Sequence, residues 1–167
     1  MNGEQSLESI YVIKTVITGI GATLLMDIWS LFQKQILRVP PLNYALVGRW
    51  ILSLPEGTFF HSTIASTPRV KGEKITGWVF HYLTGIAFAF VPFIFNGGAW
   101  LREPSLTMGL LAGLLTLFAP FLLLQPAFGF GIAASRTPRP WVTRLMSALT
   151  HLAYGFGLYV AALMMSA

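Results

Sequence analysis

Four apolar runs of about 20 residues, near positions 10–33, 75–95, 105–124 and 145–165, constrain this chain more than any other feature. Roughly 20 such residues, rising about 1.5 Å each as a helix, match the hydrocarbon thickness of a bilayer. Inside lipid, every backbone N–H and C=O must find its partner within the protein, so a run of this kind is a helix. Composition points the same way. The chain of 167 residues is 54% hydrophobic and 10% charged, against roughly 25% charged in a soluble domain, and its mean hydropathy is +0.66. The expected fold is all-α and polytopic, a single four-helix transmembrane domain over residues 1–167.

Charge orients the spans. Lys34, Arg38, Arg49, Arg69, Lys71 and Lys74 fall in the first connection, and Arg136, Arg139 and Arg144 in the third. Only Lys14 and Arg102 of the 11 basic residues fall on the other side. The positive-inside rule then predicts cytoplasmic loops and both termini outside. The same rule accounts for the net charge of +5, so nucleic acid is not an expected partner. The first residues carry Glu4 and Glu8 rather than a basic region, and the apolar run after them is too long for a signal peptide, so the first span is expected to stay. Without cysteine there is no disulfide, thiolate metal site or cysteine nucleophile.

An internal repeat adds to this. Thr67, Pro68, Arg69, Lys74, His81 and Gly85 recur as Thr137, Pro138, Arg139, Arg144, His151 and Gly155 at one offset of 70 residues. The offset predicts a duplicated two-helix unit, about 10–95 and 104–165, with parallel copies related by an axis along the membrane normal. Thr-Pro is a good helix start, threonine as N-cap and proline in the first turn, and places Thr67 and Thr137 at the heads of their spans. Arginine in a first turn opposes the helix dipole. Arg69 and Arg139 are therefore read either as headgroup anchors or, with the two helix N-termini, as a site for a lipid phosphate or acidic solute.

Between the first two spans, Asn43 is positioned to cap a short helix with Leu46, Val47, Trp50, Ile51 and Leu54 on one face and Arg49 off it, expected to lie along the membrane surface. Small residues at Gly19, Gly21 and Ala22, and at Gly109 and Gly113, suit close helix packing. The third span is expected to begin near Pro104, and the apolar tail beyond Gln125-Pro126 is either its broken continuation or a re-entrant piece.

Within the spans, Asp27, His81 and His151 carry the chemistry. All three are expected roughly 10 Å below the basic surface. A buried ionisable group is costly unless paired and so marks function by default. Three readings stand side by side: a structural hydrogen-bonded pair, a proton- or ion-coupled polar path, and a metal site with two histidines and one carboxylate. Gln125 is the nearest polar counterpart of Asp27 in the third span. His61 lies in a polar loop and is read as solvated. No nucleophile elbow, phosphate loop, zinc-protease motif or nucleotide fingerprint occurs, so the sequence does not argue for an enzyme, and it leaves the cofactor unknown.

Several stretches carry a family resemblance. They are Gly19 to Thr23 with Met26-Asp27, Leu42 to Trp50, His81-Tyr82 with Gly85 to Ala89, and Gln125-Pro126 with Gly131 to Pro140. Together they resemble a bacterial family of small integral membrane proteins known as domain of unknown function 2938. The resemblance runs from about Gly19 to Tyr159 and implies a bacterial inner-membrane protein, with no activity to carry over. The expected function is binding or transport of a small solute or ion at Asp27, His81, His151 and Gln125, with Arg69 and Arg139 at the entrance. A non-catalytic accessory or assembly subunit, docking through its small-residue faces, is the alternative, and a metal-dependent membrane enzyme is third. Expected partners are the bilayer, an anionic lipid or small solute, and a second copy or a membrane partner protein, since four spans are few for a carrier.

Overall fold

The computed structural model describes residues 2–166, and among them there is no strand. The helices are α1 (Asn2–Gln35), α2 (Tyr44–Ser53), α3 (Glu73–Asn96), α4 (Ala99–Arg102), α5 (Leu106–Leu115), α6 (Gln125–Ala127) and α7 (Pro140–Ser166). Four stretches are long and apolar enough to cross a membrane: Glu8–Gln35, Glu73–Asn96, Leu106–Ala127 and Pro140–Ser166. They are the four expected spans, each a few residues longer than the apolar run that announced it.

Polarity in these helices is arranged for lipid. In α1 the exposed stripe is Ile13, Ile17, Ile20, Leu24, Ile28 and Leu31, spaced by three or four residues, while Thr15, Thr18, Ala22, Thr23, Ser30 and Gln33 are buried. The core is correspondingly built from small residues: Ala22, Ala89, Ala112 and Ala162 are fully or almost fully buried beside Trp100, Leu101, Tyr154 and Leu158. Lipid tails are as apolar as leucine, so helices gain little by hiding large side chains from them; close backbone approach is what holds them. A Cβ at Gly19 would stand 2.7 Å from Ile86 Cα, and one at Gly109 would stand 2.7 Å from the Gly155 carbonyl oxygen. Gly21 meets Ala161 and Gly157 meets Ala22 in the same way. These faces, expected to suit close packing, are occupied by the chain's own helices.

The packing order follows. Helix α1 lies between α3 and α7, and α7 lies between α1 and α5, whereas α3 and α5 touch little. A gap is left there, on the side of the two long loops.

Helix α2 forms where expected, with Asn43 Oδ1 accepting from Ala45 N at 3.1 Å. Its packing differs from the expectation for Arg49. Gly48 and Gly77 bring α2 and α3 into backbone contact, and Arg49 is buried rather than turned away from the packed face. Its Nε and Nη2 donate to the two Glu73 carboxylate oxygens at 2.7 and 3.0 Å, and Nη1 donates to the carbonyls of Ile64 and Thr67 at 3.0 and 2.7 Å. These bonds to Glu73 raise the guanidinium's affinity for its proton further still.

The Thr-Pro steps do not start the spans. Helix α3 begins at Glu73 after Gly72, whose φ of 88° is easy only for glycine; α7 begins at Pro140. Thr67 instead closes a 3₁₀ turn, donating to the Ile64 carbonyl at 2.8 Å, and Thr137 donates to the Ala134 carbonyl at 2.8 Å. A threonine hydroxyl can satisfy a turn carbonyl as readily as a helix N–H, and here both threonines do the former. Pro104 lies two residues before the first turn of α5, whose N-cap is Ser105.

The third span is interrupted. Pro120 has no N–H to donate, and the chain widens into a π turn over Ala119–Leu124 before α6. Beyond Ala127 it leaves the helix and is tied to the first loop, His61 N donating to the Ala127 carbonyl at 2.8 Å and Ile64 N to that of Phe128 at 3.1 Å. His61 is half-buried and its Nε2 lies 3.3 Å from Ser53 Oγ, so it belongs to this junction. Ala133 and Ala134 adopt left-handed φ of 46° and 59°, and Arg144 Nε fixes that turn by donating to the Ala133 carbonyl at 2.7 Å.

Candidate functional site

The gap between α3 and α5 is a cavity of about 430 Å³, within the range of small-molecule sites. Its walls come from α1 (Thr23, Ser30, Gln33), the Val39–Asn43 connection and α2 (Tyr44, Val47), α3 (His81, Thr84), the broken third span (Thr116, Gln125) and α7 (Ser147, Thr150, His151, Tyr154). Each wall follows from the packing described above. The glycine seams hold α3 against α1 and α5 against α7, and the cavity opens where α3 and α5 touch little.

Of the two histidines expected at the depth of Asp27, His81 is the one that meets it. His81 Nε2 lies 3.0 Å from Asp27 Oδ1, and the Tyr82 hydroxyl donates to Asp27 Oδ2 at 3.0 Å. Both carboxylate oxygens thus have a partner, which is what a carboxylate in a span requires. Aromatic rings hold the imidazole: Tyr44 stacks on it with centroids 4.0 Å apart, and Trp78 meets it edge-on at 5.8 Å. Burial first, and Asp27 second, push the Tyr44 hydroxyl above the usual phenol range, so it remains a neutral donor. Asp27 lies behind this cluster; the cavity wall is His81 itself.

His151 lies on the opposite wall with a different partner. Its Nδ1 lies 2.6 Å from Thr116 Oγ1, which is also 2.6 Å from the Gly113 carbonyl oxygen. Two oxygens at that separation need a proton between them, so the threonine hydroxyl donates to Gly113 and accepts from His151 Nδ1–H. Gln125 is nine-tenths buried, lines the same cavity, and its Oε1 has no partner among the described residues. Thr150 donates to Gln33 Oε1 at 3.2 Å, joining α7 to α1 in the wall.

The sequence-derived site is therefore partly gathered. Asp27 and His81 bond directly, and His81, His151 and Gln125 face one cavity. Arg69 and Arg139 are exposed on the loops and do not line it. No lining residue is Asp, Glu, Lys or Arg. Among the described residues, no three His, Cys, Asp or Glu side chains group as the ligands of a metal ion would, and both Asp27 oxygens already accept hydrogen bonds. Sequence reasoning missed Tyr44, Tyr82, Thr116 and the Arg49–Glu73 pair. Tyr82 had a signal, being adjacent to His81. Thr116 had a weaker one, as a hydroxyl in an otherwise apolar span.

A family model described as "Protein of unknown function (DUF2938)" matches residues 16–165. No curated protein and no solved structure matches the chain.

Proposed function

This chain belongs to the DUF2938 family of proteins of unknown function, and from its interior geometry we propose that it binds a small solute in the cavity and carries it across the membrane. The observation that carries the reading is a roomy, partly polar cavity in a bundle only four spans wide, bordered by His81, His151 and the unpartnered Gln125. A cavity of this size weakens packing in a small protein, and an unsatisfied buried amide costs about 1–3 kcal/mol, so an occupant that uses both is the economical explanation. In the transport cycle the break at Pro120 and Pro126 serves as the hinge, since helix interruptions are where a span bends most easily.

The same reading includes a bacterial inner-membrane location, cytoplasmic loops, α2 near the membrane surface and descent from a duplicated two-helix unit. The parallel roles of Thr67 and Thr137 in closing their turns, and of Gly85 and Gly155 in the two helix seams, support the duplication.

Because the chain has no cysteine, single cysteines at Thr84 or Ser147 report access to the cavity directly. In sealed vesicles a membrane-impermeant thiol reagent should label each from the loop side and, more slowly, from the opposite side. Labelling from the loop side alone would reduce the reading to binding without transport, and labelling from neither side would remove it.

A further inference from the structure

The two histidines differ in their partners but agree in what they leave free. His81 is held through Nε2 by the Asp27 carboxylate, which has no proton to give when ionised and already accepts from Tyr82. His81 Nε2 therefore carries the hydrogen, and in the neutral ring Nδ1 is a bare lone pair. For His151 the Thr116–Gly113 bond forces the opposite tautomer, with hydrogen on Nδ1 and the lone pair on Nε2. Neither of these second nitrogens accepts a hydrogen bond from any described residue, and both rings line the cavity. Gln125 adds a carboxamide whose oxygen has no partner among the described residues. The hydroxyls of Ser147, Thr84 and Tyr44 are among the other polar groups on the wall. A hydroxyl can donate or accept, but an imidazole nitrogen whose proton is fixed elsewhere can only accept.

The absence of Asp, Glu, Lys and Arg from the described lining residues narrows the occupant further. A permanent anion or cation in this cavity would give up its hydration with no opposite full charge on the wall to replace it. Phe80, Phe88, Phe128 and Phe130 supply apolar and aromatic surface instead.

We propose that the cavity recognises an uncharged, largely apolar or aromatic molecule bearing an N–H or O–H group, which donates to His151 Nε2. This deepens the transport reading and rests on its premise that the cavity is occupied. His81 and Gln125 offer further acceptors to a ligand with a second donor. Asp27 acts through His81, fixing its tautomer and ring orientation without touching the ligand.

Two isomers separate the donor from size and apolarity. 3-Methylindole keeps its N–H, whereas 1-methylindole has a methyl group in its place. Equilibrium binding of both would be measured on the full chain in lipid nanodiscs, with protein-free nanodiscs as the blank, beside tryptamine as a cation and indole-3-acetate as an anion. 3-Methylindole should bind about tenfold more tightly than 1-methylindole, as expected for a bond whose loss strands a buried acceptor. Both charged indoles should bind more weakly than 3-methylindole. In His151→Phe, which keeps an aromatic ring and removes the acceptor, the gap between the isomers should close. Equal binding of the isomers to the wild type, or a gap that survives in His151→Phe, would overturn the donor inference while leaving an occupied cavity. Preference for tryptamine or indole-3-acetate would overturn the neutral-ligand inference in the same way. Binding of none above the blank would overturn this inference, and loss of thiol labelling at Ser147 as well would take the transport reading with it.

Discussion

At the scale of single residues, the contrast between Asp27 and Glu73 is instructive. Both are carboxylates near the loop side of a span, yet one is satisfied by an imidazole and a phenol and the other by a guanidinium. Asp27 accepts from an imidazole and a phenol, an arrangement that keeps the cluster compact and directs His81 at the cavity. Glu73 and Arg49 form a two-pronged ion pair, and Arg49 also gathers the carbonyls of Ile64 and Thr67. Removing one partner of such a pair strands a buried charge, at a cost of about 3–5 kcal/mol. Arg49→Met should therefore unfold at clearly lower temperature or denaturant concentration in detergent. Replacing both, as Arg49→Met with Glu73→Leu, should recover part of the loss, because no charge is then left unpaired. A double variant no more stable than Arg49→Met would show that the bonds to Ile64 and Thr67, and not the ion pair, hold this junction.

At the scale of elements, glycine decides which helices can touch. A Cβ on Gly48 would collide with the Glu73 carbonyl oxygen, and one on Gly77 with the Tyr44 carbonyl oxygen. Both obstacles are backbone, which cannot rotate away. Gly77→Ala should therefore push α2 off α3, unseat Tyr44 from His81 and expose the first loop to protease. A Gly57→Ala control meets no neighbour within 4 Å and strains only its own φ of 76°, so it should cost about 1–2 kcal/mol and leave protease protection nearly intact. Equal sensitivity of the two variants would mean that α2 is not held by this seam. Legibility from sequence divides along similar lines. The spans were legible because twenty apolar residues in lipid have one backbone solution, and the Asn43 cap because an amide before a helix has one local use. Gly48 and Gly77 were not singled out, since a lone glycine carries no sign of the partner it approaches. Thr67 and Thr137 were misread for a related reason: the hydroxyl suits either a helix N–H or a turn carbonyl, and only the course of the loop chooses. That Asp27 pairs with a histidine could be read from equal depth, but the choice of His81 over His151 could not. The pairing of His151 with Thr116 could not, because many hydroxyls share that depth.

At the scale of the whole molecule, four antiparallel spans put the two long connections at one end and the termini at the other. The connection at Lys34–Lys74 and the one at Arg136–Arg144 together hold 9 of the 11 basic residues, and the cavity lies toward that end, walled by Asn43 and Thr143. Orientation and the side from which the cavity is reached are thus one question. Moving basic loops outward across an energised membrane is opposed by the membrane potential, at about 2.3 kcal/mol per charge for 100 mV. A bias of nine residues to two therefore predicts loops inside. A reporter enzyme that works only outside the cytoplasm should be active when fused after Ala167 and inactive when inserted at Gly57, and a reporter that works only in the cytoplasm should give the reverse pattern. Activity of the external reporter at Gly57 would invert the topology. It would also make the loop-side mouth the external one, so that a solute entering there would be taken up rather than released.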